Sequence, residues 1–191
     1  LRAADMLYQA GLTAGALQVV LARGAVVGKV CLPDPRIQAV MFTGSNATCA
    51  HIAAQLAKRA ESIPLIAETG GQNCMIVDST ALLEQVVDDV IQSGFKSAGQ
   101  RCSALRVLYV QDDIVDALIT MLQGAMAQLS VSDPALLATD IGPLIDAKAL
   151  DSLQRHAQRM DKQARLLAKI EPDLPKDQGF FFAPRLYEIS A

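Results

Sequence analysis

Residues 38–71 read QAVMFTGSNATCAHIAAQLAKRAESIPLIAETGG, and the alternation inside this stretch decides the fold class. Gln38-Ala39-Val40-Met41-Phe42 is an apolar run of strand length. Thr43-Gly44-Ser45-Asn46 follows as a turn with two good helix caps, Ser45 and Asn46. The pattern then predicts a helix to about Ala60 and a strand over Pro64-Leu65-Ile66-Ala67-Glu68, broken by Gly70-Gly71. Strands alternating with helices in this way mark a parallel sheet with crossover helices.

The same alternation continues on both sides. Upstream, residues 2–10 read as a helix closed by Gly11, residues 17–21 as a short strand, and residues 25–32 as a helix ended by Pro33 and Pro35. Downstream, Cys74 to Val77 is a strand. Residues 82–96 form an amphipathic helix with Leu83, Val86, Val87, Val90, Ile91 and Phe95 on one face. A loop over 97–103 leads to an apolar strand over 104–110, which reads as buried. Helices over 113–129, with Ile114, Leu118, Met121, Leu122, Ala125 and Leu129 inward, and about 146–168, and a strand over 179–189 complete the reading. The glycine pair permits a change of direction, so the boundary between two parts is placed there, at 1–70 and 71–191.

Composition narrows the classes. The chain has 191 residues, 51% hydrophobic and 19% charged, which is a globular composition. The net charge of -3 and the 4% aromatic content, with no Trp, offer neither a basic face nor stacking platforms for nucleic acid. No apolar run reaches the roughly 18 to 20 residues of a bilayer span. The stretch from Gly11 to Leu32 comes nearest, and Gln18, Arg23 and Lys29 interrupt it. No secretory leader is visible. Cys31, Cys49, Cys74 and Cys102 fit no C-x-x-C pattern and read as reduced thiols of a cytoplasmic protein. The start at Leu1 inside a helix, and the stop just after a strand-like run, are expected of a fragment.

Few residues can carry chemistry. Cys102 lies among polar and small neighbours, Gly99-Gln100-Arg101-Cys102-Ser103. A lone cysteine is more often an inert small hydrophobe. Here the glycine lets backbone amides approach a bound oxygen, and Arg101 is placed to favour the thiolate. Glu68 ends an apolar strand, where ligands of open parallel sheets gather. The plain alternative is a solvated turn glutamate. The functional one is a carboxylate partly withdrawn from water and suited to activating it. Phe42-Thr43-Gly44-Ser45 offers helix N-terminal N–H groups to a phosphate, without the G-x-G-x-x-G fingerprint. His51 and His156 read as solvated, which leaves no base for a Cys–His hydrolase. No metal constellation is present in the sequence.

Taken together, Phe-Thr-Gly-Ser at 42–45, Glu-Thr-Gly-Gly at 68–71 and Gly-Gln-Arg-Cys at 99–102 resemble the aldehyde dehydrogenase family in order and spacing. The glutamate-to-cysteine separation is 102 − 68 = 34 residues. Within the family, Ile63 to Val77, Ser97 to Val107 and Thr139 to Asp146 resemble the L-glutamate γ-semialdehyde dehydrogenase domain of bifunctional proline-utilisation enzymes. Asn46, where the family often carries threonine, and the plain Leu21-Ala22-Arg23-Gly24 loop depart from the pattern.

The resemblance implies an α/β fold of parallel sheets with crossover helices, incomplete. Residues 1–70 would be a fragment of the NAD-binding domain and 71–191 a fragment of the catalytic domain. It implies Cys102 as nucleophile and Glu68 as general base, looking into one crevice beside NAD. Phe42, Thr43, Gly44, Ser45 and Gly70 would lie along the cofactor, and Ser103 would help hold the substrate's carboxylate. FAD would belong only to a fused proline dehydrogenase domain outside this chain. The partner is a small-molecule aldehyde, with no nucleic acid and no membrane span, and the full-length chain is expected to form homo-oligomers.

Two alternatives stay open: a non-catalytic truncated module of the same fold, and an aldehyde dehydrogenase of other specificity. An acylating enzyme that passes the thioester to coenzyme A is disfavoured by the presence of Glu68. The family's oxyanion-hole asparagine, adenine-ribose lysine and Glu-x-Phe-Gly-Pro element are not found in these residues. Loss of one oxyanion donor costs roughly 100- to 1000-fold in rate. The 191-residue piece alone is therefore expected to form NADH at a hundredth of the full enzyme's rate or less, and normal turnover by the piece would contradict this.

Overall fold

The structure, a computed structural model, describes residues 1–170 and 179–189. The chain divides into two compact units, Leu1–Thr69 and Gly70–Ala191.

The first unit begins with helix α1 (Arg2–Gln9), closed where Gly11 takes φ 100°. Residues 17–21, predicted as a strand, form none. No strand among the described residues pairs with them. An apolar run of strand length needs a ladder partner to become a strand. Val20 and Leu21 stand 72% and 79% exposed. Helix α2 (Gly24–Cys31) ends before the two prolines. Arg59 secures the connection that follows: its guanidinium donates to the carbonyls of Leu32, Asp34 and Ile37 at 2.7, 2.8 and 3.0 Å.

Strand β1 (Val40–Gly44), helix α3 (Asn46–Leu56) and strand β2 (Leu65–Thr69) then form the predicted crossover unit. Its strands pair in parallel, with Thr43 opposite Glu68 and Gly44 opposite Thr69. Thr43 and Gly44 continue the strand rather than forming the turn. Ser45 alone caps the helix, accepting from the Thr48 N–H at 3.2 Å, and Asn46 is already helical. The helix stops at Leu56, four residues short of the expected end.

In the second unit, strand β3 (Asn73–Val77) pairs in parallel with β4 (Leu105–Val110). Helices α4 (Leu83–Val90) and α5 (Asp112–Met126) cover one face of this sheet. Val77, Val86, Val87, Val90, Leu118 and Leu122 form the buried cluster, with Met75, Leu105, Leu108, Ile114 and Phe95 packed against it. The predicted inward faces of both helices are thus the faces that pack. The expectation that residues 104–110 are buried fails on the other face, where Tyr109 is 58% exposed and Ile76 of β3 is 79% exposed. Cys74, also on that face, is exposed.

Helix α6 (Ala147–Gln163), capped by Asp146, ends at Ala164, where the backbone turns extended. Residues 164–168, read as the helix's end, instead enter strand β5 (Arg165–Lys169), antiparallel to β6 (Arg185–Glu188). Long-range pairing overrides the local helical pattern here. Gln123 of α5 supports the strand by donating to the Leu167 carbonyl at 2.7 Å. Only the last part of the strand expected over 179–189 forms. No helix among the described residues is long and apolar enough to cross a membrane.

A polar cluster ties α6 to this hairpin. The Tyr187 hydroxyl donates to Asp161 Oδ1 at 2.6 Å, and Arg185 donates to both Asp161 oxygens at 3.2 Å and to the Tyr187 hydroxyl at 2.9 Å. The Tyr187 hydrogen bond, helped by the Arg185 charge, holds the Asp161 carboxyl below the usual carboxylate range. Desolvation and the adjoining carboxylate push the Tyr187 phenol up. A lowered acid stabilises the fold above its unfolded pKa and ceases to do so as pH falls through the folded value. A raised phenol does so below its unfolded pKa and ceases as pH rises through the folded value. The cluster is therefore intact between these limits. Tyr187→Phe should return the Asp161 titration toward the ordinary carboxylate value in an NMR pH series, and an unmoved titration would contradict the assignment.

Candidate functional site

In a parallel pair both strands end on the same side, so residues far apart in sequence become neighbours there. The β1–β2 register places Thr43 beside Glu68 and Gly44 beside Thr69. Phe-Thr-Gly-Ser and Glu-Thr-Gly-Gly thus meet at one sheet end, beside the start of α3. Glu68 is exposed, so the expected partial withdrawal from water is not seen; the two-stranded ladder puts no layer over the end of β2. Thr43, Gly44, Ser45 and Gly70 are exposed, and Phe42 is half-buried. The Phe42 ring lies against Gly44, where an added Cβ would come within 2.5 Å of it. A side chain at 44 would therefore have to displace this ring.

Among the described residues, nothing accepts from the Asn46 and Ala47 N–H groups. Thr48 and Cys49 are satisfied by the side chain and carbonyl of Ser45. Two free amides at the positive end of an eleven-residue helix suit an anion such as a phosphate.

The second unit carries Cys102. Helix α4 loosens into a π-helical turn (Ile91–Phe95) and then a tight turn over Lys96–Gly99. Ser97, Ala98 and Gly99 all take left-handed conformations, with φ 58°, 52° and 66°. For non-glycine residues this costs roughly 1–2 kcal/mol each, and such strain persists only where the surroundings over-determine it. Gln100 braces the segment on one side. Its amide donates to the carbonyls of Ser97 at 3.1 Å and Pro143 at 3.3 Å, and accepts from the Ile145 N–H at 2.9 Å. Arg106 braces the other, donating to the Gly99 carbonyl at 2.5 Å.

Cys102 and Ser103 form the tip of a turn closed by the Ala104 N–H and Arg101 carbonyl at 3.2 Å. Both are exposed, and Cys102 is a free thiol. Among the described residues nothing accepts from the Cys102 N–H, which leaves that donor free beside the sulfur. The open hollow beside Gln100, Pro134 and Ile145 does not include Cys102.

One reading of this loop is corrected. Arg101 does not turn toward the thiol; its guanidinium donates to the carbonyls of Gln92 and Ser93 at 2.8 and 3.1 Å. Carbonyls freed at a helix end attract a cation. Gly99 is buried, and its left-handed backbone at φ 66° itself favours glycine.

One residue that pattern reading passes over is Asn73. Its amide donates to the carbonyls of Cys102 at 2.7 Å and Ala104 at 3.0 Å. The only sequence signal is its place at the start of a strand, two residues after the glycine pair. His51 and His156 are exposed on α3 and α6, as read. No group of candidate metal ligands gathers among the described residues.

At Gly99 a Cβ would lie 2.7 Å from an Arg106 nitrogen and 3.0 Å from the Gly94 carbonyl oxygen, on a left-handed backbone. Gly99→Ala should destabilise the fold by about 1–2 kcal/mol in denaturant unfolding. An unchanged midpoint would mean the loop does not adopt this conformation.

Comparison with known proteins adds an independent observation. The profile described as "Aldehyde dehydrogenase family" matches residues 1–189. "Bifunctional protein PutA" of Escherichia coli (strain K12) is 46% identical over 193 residues, covering 96% of this chain and 15% of that protein. "1-pyrroline-5-carboxylate dehydrogenase" of Geobacillus thermodenitrificans is 34% identical over 192 residues, covering 96% of this chain and 36% of the relative. A crystal structure of betaine aldehyde dehydrogenase from Staphylococcus aureus in complex with NAD+ superposes with a TM-score of 0.89 at 25% identity. It covers 97% of this chain and 38% of that one. The chain thus spans between about a seventh and two fifths of the lengths of these proteins.

Proposed function

The chain belongs to the aldehyde dehydrogenase family, and from that premise we propose that it is the segment of an NAD-dependent dehydrogenase that oxidises L-glutamate γ-semialdehyde, formed from pyrroline-5-carboxylate, to L-glutamate. The observation that carries the reading is the exposed Cys102 thiol at a braced turn, beside an N–H with no acceptor among the described residues. The names of the Escherichia coli and Geobacillus relatives support proline catabolism and this substrate. The first also supports a second activity elsewhere in the full protein; a proline dehydrogenase domain with its FAD would lie outside this chain. Residues 1–70 serve as part of the NAD-binding domain and 71–191 as part of the catalytic domain. The full-length enzyme is cytoplasmic and homo-oligomeric in this reading.

Cys102, as thiolate, adds to the aldehyde carbon. The Cys102 N–H donates to the oxyanion that forms. NAD, when bound along Phe42, Thr43, Gly44, Ser45 and Gly70, supplies the hydride acceptor. The oxidised carbon is then a thioester on Cys102. Glu68 takes a proton from a water that adds to the thioester carbon; the C–S bond breaks, the thiolate is restored and the carboxylate product leaves. Ser103, next to the nucleophile, offers its hydroxyl to the substrate's α-carboxylate.

In the full-length enzyme, Cys102→Ala should abolish NADH formation while NAD still binds. Glu68→Gln should retain a first burst of one NADH per site and slow steady turnover by about 100- to 10000-fold. Steady turnover at the parent rate in either variant would sink the mechanism.

A further inference from the structure

We propose that Asn73 is a positioning residue for the nucleophile: its side-chain amide holds the Cys102–Ser103 turn in the one conformation that keeps the thiol and the adjacent free N–H in a fixed arrangement. The inference rests on the reading of Cys102 given above.

The Cys102–Ser103 tip needs outside support. It is exposed, and its own closing bond, Ala104 N–H to Arg101 carbonyl, is long at 3.2 Å. A tip held by that bond alone would sample several orientations of the two peptide planes that flank the Cys102 Cα. Asn73 removes this freedom. A primary amide has two hydrogens, and the structure directs both inward, to the Cys102 carbonyl at 2.7 Å and the Ala104 carbonyl at 3.0 Å. The first bond fixes the plane joining Cys102 to Ser103. The plane joining Arg101 to Cys102 is restrained from the other side, by the bond to the Arg101 carbonyl and by the anchored Arg101 guanidinium. With both planes held, the φ and ψ of Cys102 are held as well.

Asn73 is itself well fixed. It opens β3 opposite Leu105, and the register slips immediately after it, so that Cys74 pairs with Val107. Bulges of this kind re-aim side chains at the rims of sites. The slip leaves Arg106 without an opposing residue, and Arg106 is the side chain that reaches the Gly99 carbonyl. One irregularity in the β3–β4 ladder thus serves both ends of the 99–104 loop.

The chemistry selects asparagine. An aspartate of the same shape would present oxygen to two carbonyl oxygens and repel them. Alanine would leave both carbonyls to water. Glutamine keeps the NH2 on a stem one methylene longer.

The test uses the full-length enzyme with Asn73→Ala, Asn73→Asp and Asn73→Gln, read by the pre-steady-state NADH burst, by steady-state turnover, by NAD affinity and by the pH–rate profile of Cys102 alkylation with iodoacetamide. Asn73→Ala and Asn73→Asp should slow the burst by about 10- to 100-fold, as misplacement of a reacting group does, with NAD affinity unchanged and the alkylation profile altered. Asn73→Gln should recover most of the burst. A parental burst rate in Asn73→Ala overturns the proposal. So does a loss shared equally by the burst and NAD affinity, which marks general damage, and so does failure of both Asn73→Ala and Asn73→Asp to fold, which makes Asn73 a folding residue. Cys102→Ala is run alongside: if it keeps its activity, the nucleophile assignment has failed and not merely the role of Asn73.

Discussion

Adjacent parallel strands end on the same side, and this constraint organises the molecule. A parallel ladder cannot be closed by a hairpin, so a strand reaches its parallel partner only through a crossover. The β1–α3–β2 unit spends its helix on that return. The result is that Thr43 and Glu68, which are 25 positions apart (68 − 43), stand opposite each other at the carboxyl end of one ladder. In the second unit the same rule sends the chain from β3 through α4 and its irregular end to β4. The Cys102 turn therefore falls at the starting edge of β4, within reach of the first residue of β3. Neither motif needs special machinery to reach a strand end, because the topology delivers it there.

The segment between the two ladders is correspondingly short and dense. Glu68 sits near the end of β2, the glycine pair follows, and Asn73 opens β3. A candidate base and the amide that grips the thiol loop are thus five positions apart (73 − 68) on one stretch of chain. Thr69–Gln72 thus joins the end of β2 to the start of β3.

Much of this was legible in the sequence, for particular reasons. The apolar faces of 82–96 and 113–129 were readable because a helix that covers one sheet face must keep a 3.6-residue period, and Val86, Val90, Leu118 and Leu122 do. Residues 17–21 and 164–168 failed because their fate depends on pairing partners distant in sequence. The first run has no ladder neighbour among the described residues, and the second pairs with Arg185–Glu188. The surroundings of Cys102 were only half legible. The Gly-Gln-Arg-Cys motif identifies Cys102, but the direction of the Arg101 guanidinium is set by helix-end carbonyls at Gln92 and Ser93. Those carbonyls become available only because α4 ends irregularly. Asn73 was invisible for the same kind of reason: both of its acceptors are backbone atoms about thirty positions away, and backbone acceptors leave no mark in residue identity.

The strain before Cys102 and the bracing around it belong together. Ser97 and Ala98 in left-handed conformations cost roughly 1–2 kcal/mol each. An exposed loop with no outside support would relax them. Here the segment is gripped by Gln100 toward Pro143 and Ile145, by Arg106 at Gly99, by Arg101 at the end of α4 and by Asn73 at Cys102 and Ala104. Each such bond contributes on the order of 1 kcal/mol net, more where the donor is charged. The grips outnumber the strained residues, so the left-handed turn persists without needing a ligand to hold it. The acceptors are nearly all main-chain carbonyls, and that decides what is held. Side-chain partners would fix side chains, whereas carbonyl partners fix peptide planes. The planes on either side of residue 102 set where its sulfur and its N–H point, and the bracing is spent where the proposed chemistry is sensitive to orientation.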